Sequence, residues 1–358
     1  MKKHCDNFIS GAIDWLWRKH STGLSLVRIG VFLLMVSLGV NWAIDITVLT
    51  SQVALGLSLD VSQESLSCLP FFLPIISVLL IVVGVLMVLL EERRLSRKRA
   101  IAIELRGLRD TTGAPLKDNI PRSIVGRREQ LLVDIRRSDG RILDPEDALQ
   151  QIVRLPTSIA QFAAGIDRSD ITYIAGGLAP VPFSFLVGVL LDDESSITLM
   201  DWDRTRDCWR LLDEIDDGDR FVISGMEQVD QAEEIVLSVS ISYPTDLPSI
   251  SQAFLGQPVV SMILADIATD RHWSEIKQAA LAQEFFDLIR KLCGKNIKRI
   301  NLILAAPNSI VIRFGRIYDK RNLPPLTVWQ YERGQVPKYP WGVSMPVAGN
   351  KTEIVKNR

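Results

Sequence analysis

The chain has 358 residues, a net charge of -1 and 47% hydrophobic residues. So even a charge balance excludes the broad basic footprint of a protein that binds DNA or RNA polymers. Four scattered cysteines (Cys5, Cys68, Cys208, Cys293) without CxxC spacing, and three dispersed histidines (His4, His20, His272), argue against a zinc site.

Residues 1–23 form a short N-terminal segment, in which 10–19 (SGAIDWLWRK) is either an amphipathic surface helix or an extension of the first apolar span. That span is residues 24–45, with Arg28 near one edge, where it would snorkel, and Asn41 and Asp45 near the other. Residues 46–68 are a connecting loop. Residues 69–90, LPFFLPIISVLLIVVGVLMVLL, carry no charge, which is enough at ~1.5 Å per residue to cross a ~30 Å hydrocarbon core. Lys2, Lys3, Arg18 and Lys19 precede the first span, and Arg93, Arg94, Arg97, Lys98 and Arg99 follow the second, whereas 47–67 hold no Lys or Arg. The positive-inside rule then puts both termini in the cytosol of a multi-pass membrane protein. A cleaved signal peptide is rejected, because the first span lies far in and a second soon follows.

Residues 91–128 read as a basic collar and a linker rich in glycine and proline (Gly107, Gly113, Pro115, Pro121, Gly126). From there strands and helices alternate. Strands are expected at 131–136, 171–175, 197–203, 234–242, 300–305 and 326–329, with a further apolar run at 259–267. Helices are expected at 145–164, kinked or split at Pro156, at 182–190, and at 272–292 with Leu281, Phe285, Leu288 and Leu292 on one face. Such alternation specifies α/β units with mainly parallel sheets.

The soluble region repeats its own pattern. ITYIAGGLAPVPFSFLVGVLLDDESSITLMDWDR at 171–204 matches INLILAAPNSIVIRFGRIYDKRNLPPLTVWQYER at 300–333 in spacing and residue class. Each copy runs strand, small-residue turn, apolar helix ending in glycine (Gly188, Gly315), charged loop, then a strand closing on an aromatic, an acid and an arginine. Upstream, a strand closing on Ser138 in one half is paired with one closing on Ser242 in the other. Two such halves, 129–230 and 231–358, form a pseudo-dimer whose strand ends share one groove, suited to a ligand with several phosphates and bases.

The turns Gly176-Gly177-Leu178-Ala179 and Pro307-Asn308-Ser309 are the first candidates to meet a phosphate. No side chain intervenes at the glycines, and the second turn supplies polar groups. For any single glycine, helix-on-sheet packing is the competing explanation. Tyr243, directly after a strand and before Pro244, is the preferred base-stacking ring. Trp202 near a strand end is weighed with it, although core or rim packing accounts for most of the aromatics. Arg204 and Arg313 are candidates for phosphate pairing, or else members of ordinary ion pairs. Ser242 closes its strand beside Tyr243. The acids of 201–203 would hold a metal, contact a base or close a strand. Those of 213–219 read as a solvated turn. No GxxxxGK[ST], GxSxG or HExxH occurs, so the chain is not expected to be an enzyme or to need a metal or cofactor.

With both turns located, YIAGGLAPVPFSFLVGVLL followed by DWDRTRDCW, and LILAAPNSIVIRFGR followed by the Tyr-Glu-Arg strand end, the region 116–345 resembles the SAVED domains of bacterial anti-phage CBASS systems. The resemblance implies an N-terminal transmembrane α-hairpin followed by two fused CARF-like (Rossmann-like) halves. The ligand it implies is a cyclic oligonucleotide, a trinucleotide or dinucleotide, made by a partner nucleotidyltransferase. It also implies head-to-tail self-association on ligand binding and disruption of the inner membrane. Alternatives are a membrane-anchored phosphodiesterase and a passive receptor that recruits another effector.

Overall fold

The computed structural model describes residues 22–37, 69–107, 114–137, 144–192, 197–230, 232–295, 297–347 and 351–357. It divides into two compact units, Met1–Arg97 and Lys98–Arg358. The 10–19 segment, Asn41, Asp45, the 46–68 loop and Ser138 lie outside the described residues.

In the first unit, α1 (Thr22–Ser37) packs along α2 (Leu69–Arg97). The two backbones touch through glycine. A Cβ on Gly84 would come within 2.6 Å of the Gly23 carbonyl oxygen, and one on Gly30 within 2.8 Å of that of Ser77. Small residues at such a contact replace the hydrophobic effect, which lipid does not supply, with close van der Waals packing. The faces turned outward are apolar and exposed, including Phe32, Ile75, Leu79, Val82 and Leu86. By length and composition α2 can cross a bilayer. α1 is shorter, at 16 residues. The basic residues Arg94 and Arg97 sit in the last turn of α2, so the helix continues through the collar.

In the second unit, the segment expected to be a linker instead holds β1 (Arg99–Arg106), a strand buried on both faces. It lies between β2 (Arg127–Asp134) and β3 (Ile171–Leu178), parallel to both. Then come α3 (Pro145–Ile152) and α4 (Leu155–Ala163), split where Pro156 opens the second helix, as its missing N–H and fixed φ favour. After β3 follow α5 (Val181–Leu190), β4 (Ile197–Asp203) and an antiparallel β5 (Cys208–Leu211). The first sheet therefore runs β2-β1-β3-β4-β5.

The second sheet contains β6 (Phe221–Ser224), β7 (Glu234–Ser240), β8 (Val259–Leu264), β9 (Arg299–Ala305), β10 (Leu326–Gln330), β11 (Trp341–Ser344) and β12 (Glu353–Lys356). α6 (Leu247–Ala253) follows β7, α7 (Glu275–Cys293) follows β8, and α8 (Asn308–Ile317) follows β9. The strand order is β12-β11-β10-β9-β7-β8-β6. Its parallel core, β8-β7-β9-β10, repeats the order β2-β1-β3-β4. The repeat read from the sequence is thus β3–α5–β4 against β9–α8–β10. The upstream pairing needs revision: the counterpart of β7 is β1, and the strand before Ser138, β2, matches β8. The division between halves also shifts, because β6 pairs with β8 and belongs to the second sheet.

The halves meet where α5 crosses α8. A Cβ on Gly188 would fall 2.1 Å from the Ile312 carbonyl oxygen, and one on Gly315 2.1 Å from that of Phe185. Ile312 and Phe185 occupy the same place in their helices, so the contact is isologous, as at a two-fold axis. Pro182 to Val189 of α5 are all buried, which explains a helix apolar on every side.

Candidate ligand groove between the two halves

In open α/β sheets, ligands bind beyond the carboxyl ends of strands, where the strand order reverses. Here those ends, from both sheets, converge on one groove of about 400 Å³. Leu178 ends β3, and Asp201, Trp202, Arg204 and Thr205 come from the end of β4 and its turn. Ser242 and Tyr243 follow β7. Ala305, Ala306, Pro307 and Asn308 join β9 to α8, and Thr269, Asp270, His272 and Trp273 precede α7. The volume falls within the ~300–1,000 Å³ usual for small-ligand clefts.

Tyr243 is 57% exposed, on a loop held from below. The backbone N–H groups of Ile241 and Ser242 both donate to Ala305 O, at 3.0 and 2.9 Å. Thr245 Oγ1 lies 2.6 Å from Ser238 Oγ and 3.1 Å from Ser240 Oγ. Asp246 caps α6 by accepting from Ser249 N. Hydrogen bonds from Ser249 and from the Lys338 ammonium bring the Asp246 carboxyl down to about 2. A ring mounted this way can stack on a base without first losing much conformational freedom. Arg204 sits in the exposed β4–β5 turn, which Asp203 shapes by accepting from Thr205 N and Arg206 N at 2.9 and 3.0 Å. Trp202 packs edge-on against Trp209, with centroids 5.4 Å apart.

The floor is a buried polar network. Asp201 Oδ2 accepts from Ser309 Oγ at 2.6 Å and Ser309 N at 3.1 Å, and His272 Nε2 stands 3.4 Å away. Gln278 Nε2 donates to His272 O and to Ser309 Oγ. Burial alone would raise the Asp201 carboxyl, but hydrogen bonding and charge from His272, with the two bonds from Ser309, hold it below the usual carboxylate range. Ser309 Oγ donates a hydrogen bond to the carboxylate, and the imidazole faces that same carboxylate rather than the hydroxyl.

Asp201 crosses from the first half to the N-terminus of α8, in the second. Gln330, at the matching register of β10, crosses the other way, its Oε1 accepting from Val181 N of α5 at 3.2 Å. Each half thus caps the helix of the other, and side chains already occupy these two helix starts.

Of the residues singled out in the sequence, Leu178, Trp202, Arg204, Ser242, Tyr243, Pro307 and Asn308 line the groove. Gly176 and Gly177 lie within β3 instead. A Cβ on Gly176 would meet Trp209 at 2.8 Å, and one on Gly177 would meet Leu105 at 3.0 Å. Ala179 is buried, Ser309 belongs to the floor, and Arg313 pairs with Glu275 on α7. The sequence reading missed Asp201 as an interior acid, and it missed the 269–273 loop. The signal for that loop was His272-Trp273 directly before Ser274, the N-cap of α7. Among the described residues no cluster of acids, histidines and cysteines has the makings of a metal site.

Comparison with known families bears on what such a groove serves. Residues 155–345 match the SMODS-associated and fused to various effectors sensor domain, SAVED, over more than half of the chain. The chain belongs to the SAVED family. Residues 2–149 match the SAVED-fused 2TM effector domain, which brings membrane anchoring with it. Solved structures similar to this chain include the SAVED/CARF-domain containing receptor Cap4 of Acinetobacter baumannii. With the cyclic trinucleotide 2'3'3'-cAAA its identity is 13%, its TM-score 0.48, and coverage 77% of this chain and 59% of the receptor. With 3'3'3'-cAAA the values are 14%, 0.49, 77% and 59%. Cap4 of Moraxella osloensis gives 12%, 0.46, 74% and 53%. The chain spans less than two thirds of these receptors. No curated protein matches it.

Proposed function

We propose that this SAVED protein is a membrane-bound effector of CBASS-type defence, in the bacterial inner membrane with both termini cytosolic. Its groove takes a cyclic oligonucleotide, a trinucleotide or dinucleotide, supplied by a partner nucleotidyltransferase. Ligand binding drives self-association, and the gathered spans disrupt the bilayer. The observation that carries this reading is the convergence of strand ends from both halves on one groove, in a sensor fused to a two-span effector. Tyr243 and Trp202 offer ring faces to bases, Arg204 a planar fork to phosphate, and Ser242, Thr269 and Asn308 hydrogen-bonding groups. A ligand shifts assembly only as far as it binds the assembled form more tightly.

The test is a titration of the full chain in detergent with cyclic di-, tri- and tetranucleotides, following binding and molar mass together. Permeability of proteoliposomes is then measured with the tightest binder. One compound should bind, raise the mass and release a trapped dye, and should be recovered intact. Loss of a stacked ring in Tyr243→Ala should weaken that binding by about 5-fold to 150-fold, the ~1–3 kcal/mol of one base–aromatic contact. Binding without a change in mass or permeability would defeat the effector reading, and turnover of the nucleotide would favour a phosphodiesterase.

A further inference from the structure

Two of the sheet edges among the described residues, β2 and β6, are unlike one another. In β2, the bonds from Arg127 N to Lys98 O and from Ile135 N to Arg106 O fix the parity of the strand. Its odd-numbered residues turn their backbone groups to β1, so Arg128, Gln130, Leu132 and Asp134 present N–H and C=O to the outside. That edge borders a groove of about 420 Å³ between β2 and α4, floored by Leu155 and flanked by Phe162. Leu132 is 44% exposed. Arg127, Arg128 and Arg154 are exposed around it; Arg127 lies 3.5 Å from Glu129 and Asp134 is bound by Arg136, so the rim is basic through Arg128 and Arg154.

At the far side of the second sheet, β6 pairs only with β8 among the described residues. Phe221 N donates to Glu284, which places the outward backbone groups at Phe221 and Ile223. Val222 is 60% exposed and Ile223 40%. The segment leading into β6 keeps an acidic excess: Asp213, Glu214, Asp216, Asp217 and Asp219 face Arg210, Arg220 and Lys277, which pair with them. Of the other edges among the described residues, β12 carries an ion pair to α3, Lys356–Glu146 at 2.8 Å, and the Leu116–Asn119 turn packs on β1, β2 and β5 alike.

Exposed edge strands are usually blunted by proline, by inward-pointing charge or by a covering element. We propose that β2 of one copy receives β6 of a second copy, the two edges joining into one sheet that crosses the contact. Charge complementarity favours this occupant, since a basic rim receives an acidic approach, and Leu132 and Ile223 each set an apolar side chain beside an outward N–H and C=O, the Phe221 N–H being taken by Glu284. The surfaces differ, so the contact is heterologous and leaves an open β2 and an open β6 for further copies, giving a ring or a filament. The proposal rests on the self-association of the proposed function and names its surface.

Its test uses the full chain in detergent with the four native cysteines changed to serine. One preparation carries Leu132→Cys and another Ile223→Cys, and the two are oxidised alone and mixed, with and without cyclic tri-adenylate and cyclic dinucleotides. A disulfide-linked pair should form only in the mixture. Leu132→Pro removes an outward N–H and spares the β1 ladder. It should leave the melting temperature within a few degrees and lower the assembled fraction by about tenfold or more. Linkage within the Leu132→Cys sample alone, no linkage at concentrations where the unsubstituted chain assembles, full assembly of Leu132→Pro, or a chain that stays monomeric throughout would each overturn the edge contact. If the mixed pair forms equally well without nucleotide, the edge contact stands and gating by nucleotide fails.

Discussion

Gly315→Ala, and its mirror Gly188→Ala, should each cost the sensor a substantial part of its stability. The new methyl has nowhere to go. At Gly315 its nearest neighbour is the Phe185 carbonyl oxygen at 2.1 Å, with the Gly188 Cα 3.0 Å away. A flexible side chain could swing aside, but a helix backbone in a close-packed interior moves only as a body. Overpacking of a well-packed core costs ~1–3 kcal/mol, and contacts with backbone lie at or beyond the upper end. For a unit of this size that is a fall in melting temperature of roughly 6–12 °C. Gly334→Ala is the control, because a Cβ there meets nothing within 4 Å, and its melt should be unchanged. Scanning calorimetry of the three variants decides the matter. An unshifted melt for both Gly188→Ala and Gly315→Ala would mean that the helices do not cross at this pair.

The second large effect is expected at Asp201. Asp201→Ala leaves Ser309 N and Oγ without an acceptor in a buried site, at ~1–3 kcal/mol for each donor stranded. Asp201→Asn keeps the shape and one acceptor, so its loss should be smaller. The pH dependence carries a sign that a purely steric role would lack. The Asp201 carboxyl is held below its ordinary value of 3.8. An acid with a lowered folded value stabilises the fold fully above its unfolded value, and that stability is lost as pH falls through the folded one. Wild type should therefore lose stability on acidification below about pH 4. Asp201→Asn should be less stable at neutral pH and should lose less over that acid range. Denaturant melts at neutral pH and across the acid limb measure both. Parallel curves for the two proteins would remove Asp201 from the account of acid sensitivity.

These two sites also mark where the sequence was readable. The repeat was visible because α5 and α8 carry glycine at the same point of the helix, and the spacing from helix start to glycine, Val181 to Gly188 and Asn308 to Gly315, survives even though the residues around it differ. That spacing is a packing constraint, so it outlasts identity. β1 was hidden for the opposite reason. RAIAIELR is buried on both faces, so it shows no alternation of polar and apolar. It follows a basic helix end and precedes glycines and prolines that look like a linker. Missing it shifted every upstream correspondence by one strand.

The AGGLA segment misled in another way. Glycines before a helix read as a phosphate turn, yet Gly176 is required where Trp209 presses on β3, a ring from a strand that the sequence reading did not contain. The acidic 213–219 stretch looked solvated because its partner is distant in sequence. Lys277 is almost wholly buried beneath it, with Nζ 2.7 Å from Asp217 Oδ2. Local composition reports neither contact. Tyr243 and Arg204 were legible because a strand end followed by a turn is a local signal.

The crossing of α5 and α8 has one more consequence, for how the chain can be cut. Each helix is apolar where it meets the other, and each half lends a side chain to the start of the other's helix. Neither half alone can satisfy its own core. Among the described strands the polypeptide passes from the first sheet to the second once, through the exposed stretch around Ile215. A nick there would give two fragments that stay insoluble apart and find each other when made together. The SAVED sensor is thereby a ready scaffold for a split reporter, with recovery of the full fold as its read-out.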